Sequence, residues 1–255
     1  GAFPSTMVDR IVPAATEETR QRASDWLGVE DRLAIDTEPF VQWVIEDHFV
    51  SGRPAWEAGG ALFVNDVAPY EKMKLRLLNG AHSMIAYLGQ LTGHDYVRDV
   101  MAVPEYVERA RQHMRAAART LDPVPEVDLT TYQDQLVDRF SNPTIAHATR
   151  QIAMDGSQKL PQRIFAAAVD DIAAGGDGAV FAEATALWIA YLRSAADIDD
   201  PRRDELRQAA ECRNGSDQTA AFFALSGIFP PELVESRAWR DRVNQSLAHW
   251  SRPGR

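Results

Sequence analysis

From Glu71 to Ser83 the chain reads Glu-Lys-Met-Lys-Leu-Arg-Leu-Leu-Asn-Gly-Ala-His-Ser, and this stretch constrains the rest more than any other. The spacing predicts a helix from about Ala68 to Leu91, with Gly93 as its stop. On a regular α-helix Lys74, His82 and Asn79 fall at about 0°, 80° and 140° around the axis. An amine, an imidazole and a carboxamide then share one side, while Met73, Leu77, Met84 and Leu88 suit burial on the other. Such a trio can handle a hydroxyl or carbonyl oxygen. A lone lysine on a helix is also ordinarily solvated, and a lone histidine is ordinarily a structural hydrogen-bonder. Geometry leaves both readings open.

Composition excludes several classes of function. The 255 residues are 45% hydrophobic and 25% charged, enough to bury a sizeable core in one large domain or two smaller ones. A formal net charge of -10 repels phosphate backbones and argues against nucleic acid. No run of about 20 apolar residues is present to span a bilayer. The first residues lack the pattern of a signal peptide, and Cys212 is the one cysteine, so the expected compartment is the cytoplasm. Asn214-Gly-Ser216 and Asn244-Gln-Ser246 match the glycosylation sequon, which a cytoplasmic chain carries by chance.

Along the chain, Thr16 is placed to cap a short helix, Glu17 to Leu27, with acidic residues at its positive end and Gly28 after it. Arg32 to Thr37 and Phe40 to Glu46 read as two strands around Pro39, and Ala61 to Val64 as a third, weaker one. From Pro69 onward helical signals dominate. Helices are expected over 104–121, from a cap at Thr130 or Thr131, from Asn142 to about Gly156, and over 161–174, 178–195, 201–212, 218–225 and 231–250. Val180, Ala184, Leu187, Trp188 and Tyr191 form one apolar stripe. Gly175-Gly-Asp-Gly178 joins two helices and reads as a turn rather than a phosphate loop. The expected fold is therefore mainly α: residues 1–66 are a small mixed α/β segment, and 67–255 are a multi-helical domain. The sequence shows no glycine-rich dinucleotide fingerprint, no metal-ligand cluster and no serine or cysteine nucleophile beside a base.

Lys74 to Ser83 resembles the signature of the polyol-specific long-chain dehydrogenases and reductases, which include mannitol 2-dehydrogenase and fructuronate reductase. Met7-Val-Asp-Arg-Ile11, Glu38-Pro-Phe-Val-Gln-Trp-Val-Ile-Glu-Asp47 and Met154-Asp-Gly-Ser-Gln-Lys-Leu-Pro-Gln-Arg163 extend the likeness, in wording nearest the fructuronate reductase branch. The resemblance implies a Rossmann-type cofactor domain followed by a helical substrate domain. This chain is then the C-terminal half, with residues 1–66 as the tail of the cofactor domain. NAD or NADP would be held mainly by an N-terminal domain, no metal would take part, and the partner would be a small sugar acid or polyol.

The same resemblance implies catalytic roles for Lys74, Asn79 and His82. A lysine in a half-dry pocket has its charged form disfavoured, which suits a general base in oxidation and a general acid in reduction. Asn79 and His82 can donate hydrogen bonds to the developing alkoxide. Asp9 matches a carboxylate near the substrate, where it can accept a hydroxyl or position Lys74. Lys159 matches a substrate-contacting lysine, and Arg150 or Arg163 can pair with a sugar-acid carboxylate or simply be surface charges. Arg76 points away from the trio and reads as structural. Trp43 and Trp56 read as packing residues. The expected reaction is reversible reduction of D-fructuronate to D-mannonate. Mannitol oxidation is the alternative within the class, and a non-catalytic helical fragment is the alternative outside it.

Overall fold

The computed structural model describes residues 1–212 and 217–251. Strand β1 (Thr6–Asp9) pairs antiparallel with β2 (Gln42–Glu46), which pairs parallel with β3 (Ala61–Val64). Alternation along β1 buries Met7 and Asp9 and turns the Val8 side chain outward. Helix α1 (Glu17–Leu27) starts as expected, with Thr16 Oγ1 accepting the Thr19 N–H. It ends where Gly28, at φ 72°, closes onto the Ser24 carbonyl. Arg32 to Thr37 is not a strand. Asp36 instead accepts hydrogen bonds from Thr19 and Arg22, and Ser24 Oγ accepts the Asp31 N–H. Side chains tie this segment to α1, and no ladder forms. Trp43 and Trp56 stack on each other at 5.6 Å, and both stay partly exposed.

The long expected helix is three pieces in line: α2 (Ala68–Met73), a π-helical turn (Lys74–Asn79) and α3 (Gly80–Thr92), stopped by Gly93. Then come α4 (Val97–Met101), α5 (Pro104–Ala118) and α6 (Leu129–Phe140). Asp128 caps α6, accepting from the Thr130 and Thr131 N–H groups, so those threonines sit inside the first turn. The helix expected from Asn142 to Gly156 does not form. Residues 142–148 run in irregular backbone, and Ala148 bridges to Tyr96. A short α7 (Thr149–Ala153) follows, and Asp155 at φ 56° breaks it from α8 (Gly156–Leu160). Helix α8 continues through a second π turn (Pro161–Phe165) into α9 (Ala166–Ala173).

Helix α10 (Ala179–Ser194) is the hub, packed on α3 and on the last helix, α14 (Arg237–Trp250). The Ala184, Leu187, Trp188 and Tyr191 stripe is buried, and so are Ala182, Thr185, Ala186, Ile189 and Ala190 on its other sides. A helix buried all round belongs at the centre of a helical layer, not on its surface. Between them run α11 (Arg203–Glu211), α12 (Ala220–Phe223) and α13 (Pro231–Glu235). The Asn214–Ser216 sequon lies outside the described residues, and the Asn244 amide is engaged with Asp217 and Thr219. No helix among the described residues is long and apolar enough to cross a membrane.

Candidate functional site

Two π turns meet at the site. In the first, the Gly80 N–H reaches back to the Leu75 carbonyl, five residues away. Residues five apart stand about 140° apart on an α-helix, and i→i+5 bonding, which widens the turn, reduces that angle. Lys74 opens this turn and Asn79 closes it. The second turn surrounds Pro161, whose missing N–H and ring favour a widened helix at that point. The turns touch because Gly80 has no side chain: a Cβ there would lie 2.9 Å from the Arg163 carbonyl oxygen. Arg163 Nη1 donates to Ser83 Oγ at 3.1 Å, tying the second turn to α3. One turn earlier, Lys159 faces Asp155 across 3.7 Å.

Lys74 is half-buried, and its Nζ donates a hydrogen bond to the Val8 carbonyl of β1. Beside it, Asp9 is 1% exposed. The Asp9 carboxylate accepts from Tyr132 Oη at 2.8 Å and from Arg139 at 3.0 and 2.7 Å. Arg139 also donates to Glu38 at 3.0 and 2.7 Å and lies over the Phe40 ring at 3.9 Å. Glu38 in turn accepts the Ile11 N–H at 2.6 Å. One guanidinium thus joins two buried carboxylates from separate parts of the chain. His82, 6% exposed, stacks on Phe140 and meets the edge of His147, with ring centres 5.0 and 4.8 Å away. Its Nε2 is buried without a hydrogen-bond partner. Arg76 points elsewhere, into Thr120 and Asp170, as the wheel predicted.

The cluster is rich in cations, which disfavour one another's charge, while Asp9, Glu38 and Asp155 favour it. Burial lowers the Lys74 pKa; Asp9 opposes the shift, and Arg139 and Arg163 reinforce it. Burial, then His147, Arg163, Arg139 and Lys159, keep His82 well below the ordinary imidazole value. Burial and Arg163 lower Lys159 against the pull of Asp155. Arg139 goes the other way: burial opposes its charge, and the hydrogen bonds to Asp9 and Glu38 outweigh that opposition. The arrangement offers an amine whose charged form burial disfavours, a neutral imidazole and a carboxamide beside a field that favours an anion.

Arg139, Glu38, Tyr132 and His147 were not singled out in the sequence. Arg139 carried one usable sign, lying seven residues from Tyr132 and three from Leu136 on the buried face of α6.

Residues 66–250 match the mannitol dehydrogenase C-terminal domain, and residues 1–58 match the mannitol dehydrogenase Rossmann domain. The chain belongs to the mannitol dehydrogenase family. It is 47% identical to the D-mannonate oxidoreductase of Escherichia coli K12, over 92% of this chain and 50% of that protein. It is 37% identical to the mannitol 2-dehydrogenase of Aspergillus terreus, over all of this chain and 52% of that one. Among solved structures, Pseudomonas fluorescens mannitol 2-dehydrogenase, in ternary complex with NAD and D-mannitol, superposes with a TM-score of 0.89 at 36% identity. That match covers 97% of this chain and 51% of the other. The chain spans about half the length of the curated relatives it matches.

The two family segments differ in surface. Among the described residues, every exposed large apolar side chain lies within residues 3–56, including Phe3, Trp26 and Leu33. The same segment does not fit the pyrophosphate of a dinucleotide. Neither the 10–16 connection from β1 to α1 nor the 65–67 connection from β3 to α2 contains a glycine. Among the described residues, no group of three or more His, Cys, Asp or Glu side chains is arranged to hold a metal ion.

This family member should lose stability in mild acid. His113 is fully buried beside Phe181, and burial lowers its pKa from 6.5 to about 4. A depressed imidazole stabilises the fold fully above about pH 6.5, and that stability is lost as the pH falls toward about 4. The gap is worth on the order of 3 kcal/mol for His113, with His82 adding in the same direction. Denaturant midpoints measured from about pH 7 to about pH 4.5 should fall, and His113→Phe should flatten part of that slope. Equal slopes in the two proteins would count against a neutral His113.

Proposed function

We propose that this chain is the substrate-binding and proton-transfer part of a cytoplasmic NAD(P)-dependent oxidoreductase that reversibly reduces D-fructuronate to D-mannonate. The observation that carries the reading is Lys74, half-buried with its ammonium form disfavoured, opening the π turn that also bears Asn79. In oxidation the neutral Lys74 amine takes the proton of the substrate hydroxyl, and in reduction the ammonium returns it. Asn79 and His82 donate to that oxygen as negative charge develops. Hydride chemistry belongs to the dinucleotide and its own N-terminal domain, for which the apolar surface of residues 3–56 is a fitting seat.

Asp9 has both oxygens engaged by Tyr132 and Arg139, which favours its role in positioning Lys74 over direct substrate contact. Lys159 and Arg163, whose charges bear on His82, suit the carboxylate of a sugar acid. That feature, with the identity to a D-mannonate oxidoreductase, favours a sugar acid over a polyol. The likeness to a mannitol 2-dehydrogenase bound to D-mannitol supports mannitol oxidation as the second reading.

The test is to assay the protein expressed from its whole gene with NADH or NADPH against D-fructuronate, D-tagaturonate and D-fructose. Fructuronate should give the highest kcat/KM, and the 255 residues alone should give no turnover. A clear preference for fructose would move the assignment to the mannitol reading. Inactivity on all three would favour a non-catalytic helical module.

A further inference from the structure

His147 has no role in the scheme above, yet it forms one face of the site. It lies in the irregular run before α7 and is held by its backbone, where the Val97 N–H donates to its carbonyl at 3.0 Å. The Tyr96–Ala148 bridge fixes the next residue. Its ring meets the His82 ring nearly perpendicularly, at 79° and 4.8 Å. Each of the two touching rings carries a nitrogen, His82 Nε2 and His147 Nδ1, that is buried without a hydrogen-bond partner. Each such group costs on the order of 1–3 kcal/mol in a finished fold, so two of them on touching rings point to a ligand that answers them. His113 also has unpaired nitrogens, but burial alone shapes its surroundings, with no charged group acting on it. His147, in contrast, feels Lys159, and His82 feels Arg163, Arg139 and Lys159.

We propose that His147 is a further substrate-binding residue, hydrogen-bonding the hydroxyl on the carbon next to the reacting carbon, while His82 attends to the reacting oxygen. This rests on the reading of His82 given above. A hydroxyl both donates and accepts, so it satisfies a neutral imidazole in either tautomer. Burial and Lys159 hold His147 near a pKa of about 4, which keeps it neutral. The cations Lys159 and Arg163 are left for the carboxylate. The pair therefore reads a vicinal diol, a feature common to sugar acids and polyols.

The test uses the protein expressed from its whole gene, with His147→Phe, which keeps the ring edge against His82, and His147→Gln, which keeps a donor and an acceptor. Because the bond is made in the ground state and the transition state alike, His147→Phe should raise KM by roughly 10- to 100-fold with little change in kcat. His147→Gln should recover part of that loss. With an aldonate lacking the neighbouring hydroxyl, wild type and His147→Phe should have the same KM. A KM for His147→Phe within about twofold of wild type on the complete substrate would overturn the proposal, as would an equal penalty on both substrates. A wild-type protein inactive on every sugar acid and polyol would instead overturn the reading of the whole site, and the role of His147 with it.

Discussion

Lys74→Ala, in the protein expressed from its whole gene, is expected to lower kcat by about 10²- to 10⁴-fold or more, the usual reach of a positioned acid-base group. Dinucleotide affinity should be unchanged, because on the function proposed above the cofactor is held mainly by an N-terminal domain. The pH dependence should carry the same signature. Burial lowers the Lys74 pKa, and Arg139 and Arg163 add to the shift against Asp9. Alcohol oxidation, which needs the free amine, should rise with pH through that lowered value, and ketone reduction should fall through it. Turnover of Lys74→Ala close to wild type, or a profile without that opposed pair of limbs, would remove Lys74 from the proton transfer.

The second large effect is on folding. Arg139→Met should destabilise the protein by roughly 3–5 kcal/mol, because Asp9 and Glu38 would remain buried without their common partner. The denaturant midpoint should drop with an unchanged slope. Arg139→Lys should recover only part of the loss, since a single ammonium cannot reproduce the fork that spans two carboxylates. A second readout separates this network from ordinary packing. With Arg139 gone, a cation that lowers the Lys74 pKa is lost and Asp9 is freed to favour the ammonium. The oxidation limb should therefore move to higher pH. A loss below about 1 kcal/mol with an unshifted profile would show that the network is neither structural support nor a tuning device.

Where sequence reading succeeded, the interactions were local. Thr16 and Gly28 bracket α1, and Gly93 ends α3, because caps are decided by the few residues around them. The same locality explains the failures. Arg32 to Thr37 had strand-forming residues, but Asp36 found partners on α1 in place of a neighbouring strand. Asn142 to Gly156 had helical spacing, but 95–97 captured the backbone of 147–149, and Asp155 took a left-handed turn. Arg139 stands 101 residues from Glu38 and 130 from Asp9, separations that no periodicity can bridge.

The sequence by itself determined a helical domain behind a small mixed segment, the family it resembles, and Lys74, Asn79 and His82 as its chemical candidates. Those conclusions rest on spacing within single helices and on motif wording, both of which survive without tertiary information. Only the tertiary structure decided the environment of those residues. It widened the helix into a π turn from Lys74 to Asn79, pressed Gly80 against Arg163, bound Asp9 to Arg139 and Tyr132, and set His147 against His82. Acidity and hydrogen-bonding capacity depend on burial and on charges brought from distant segments, and packing alone supplies both.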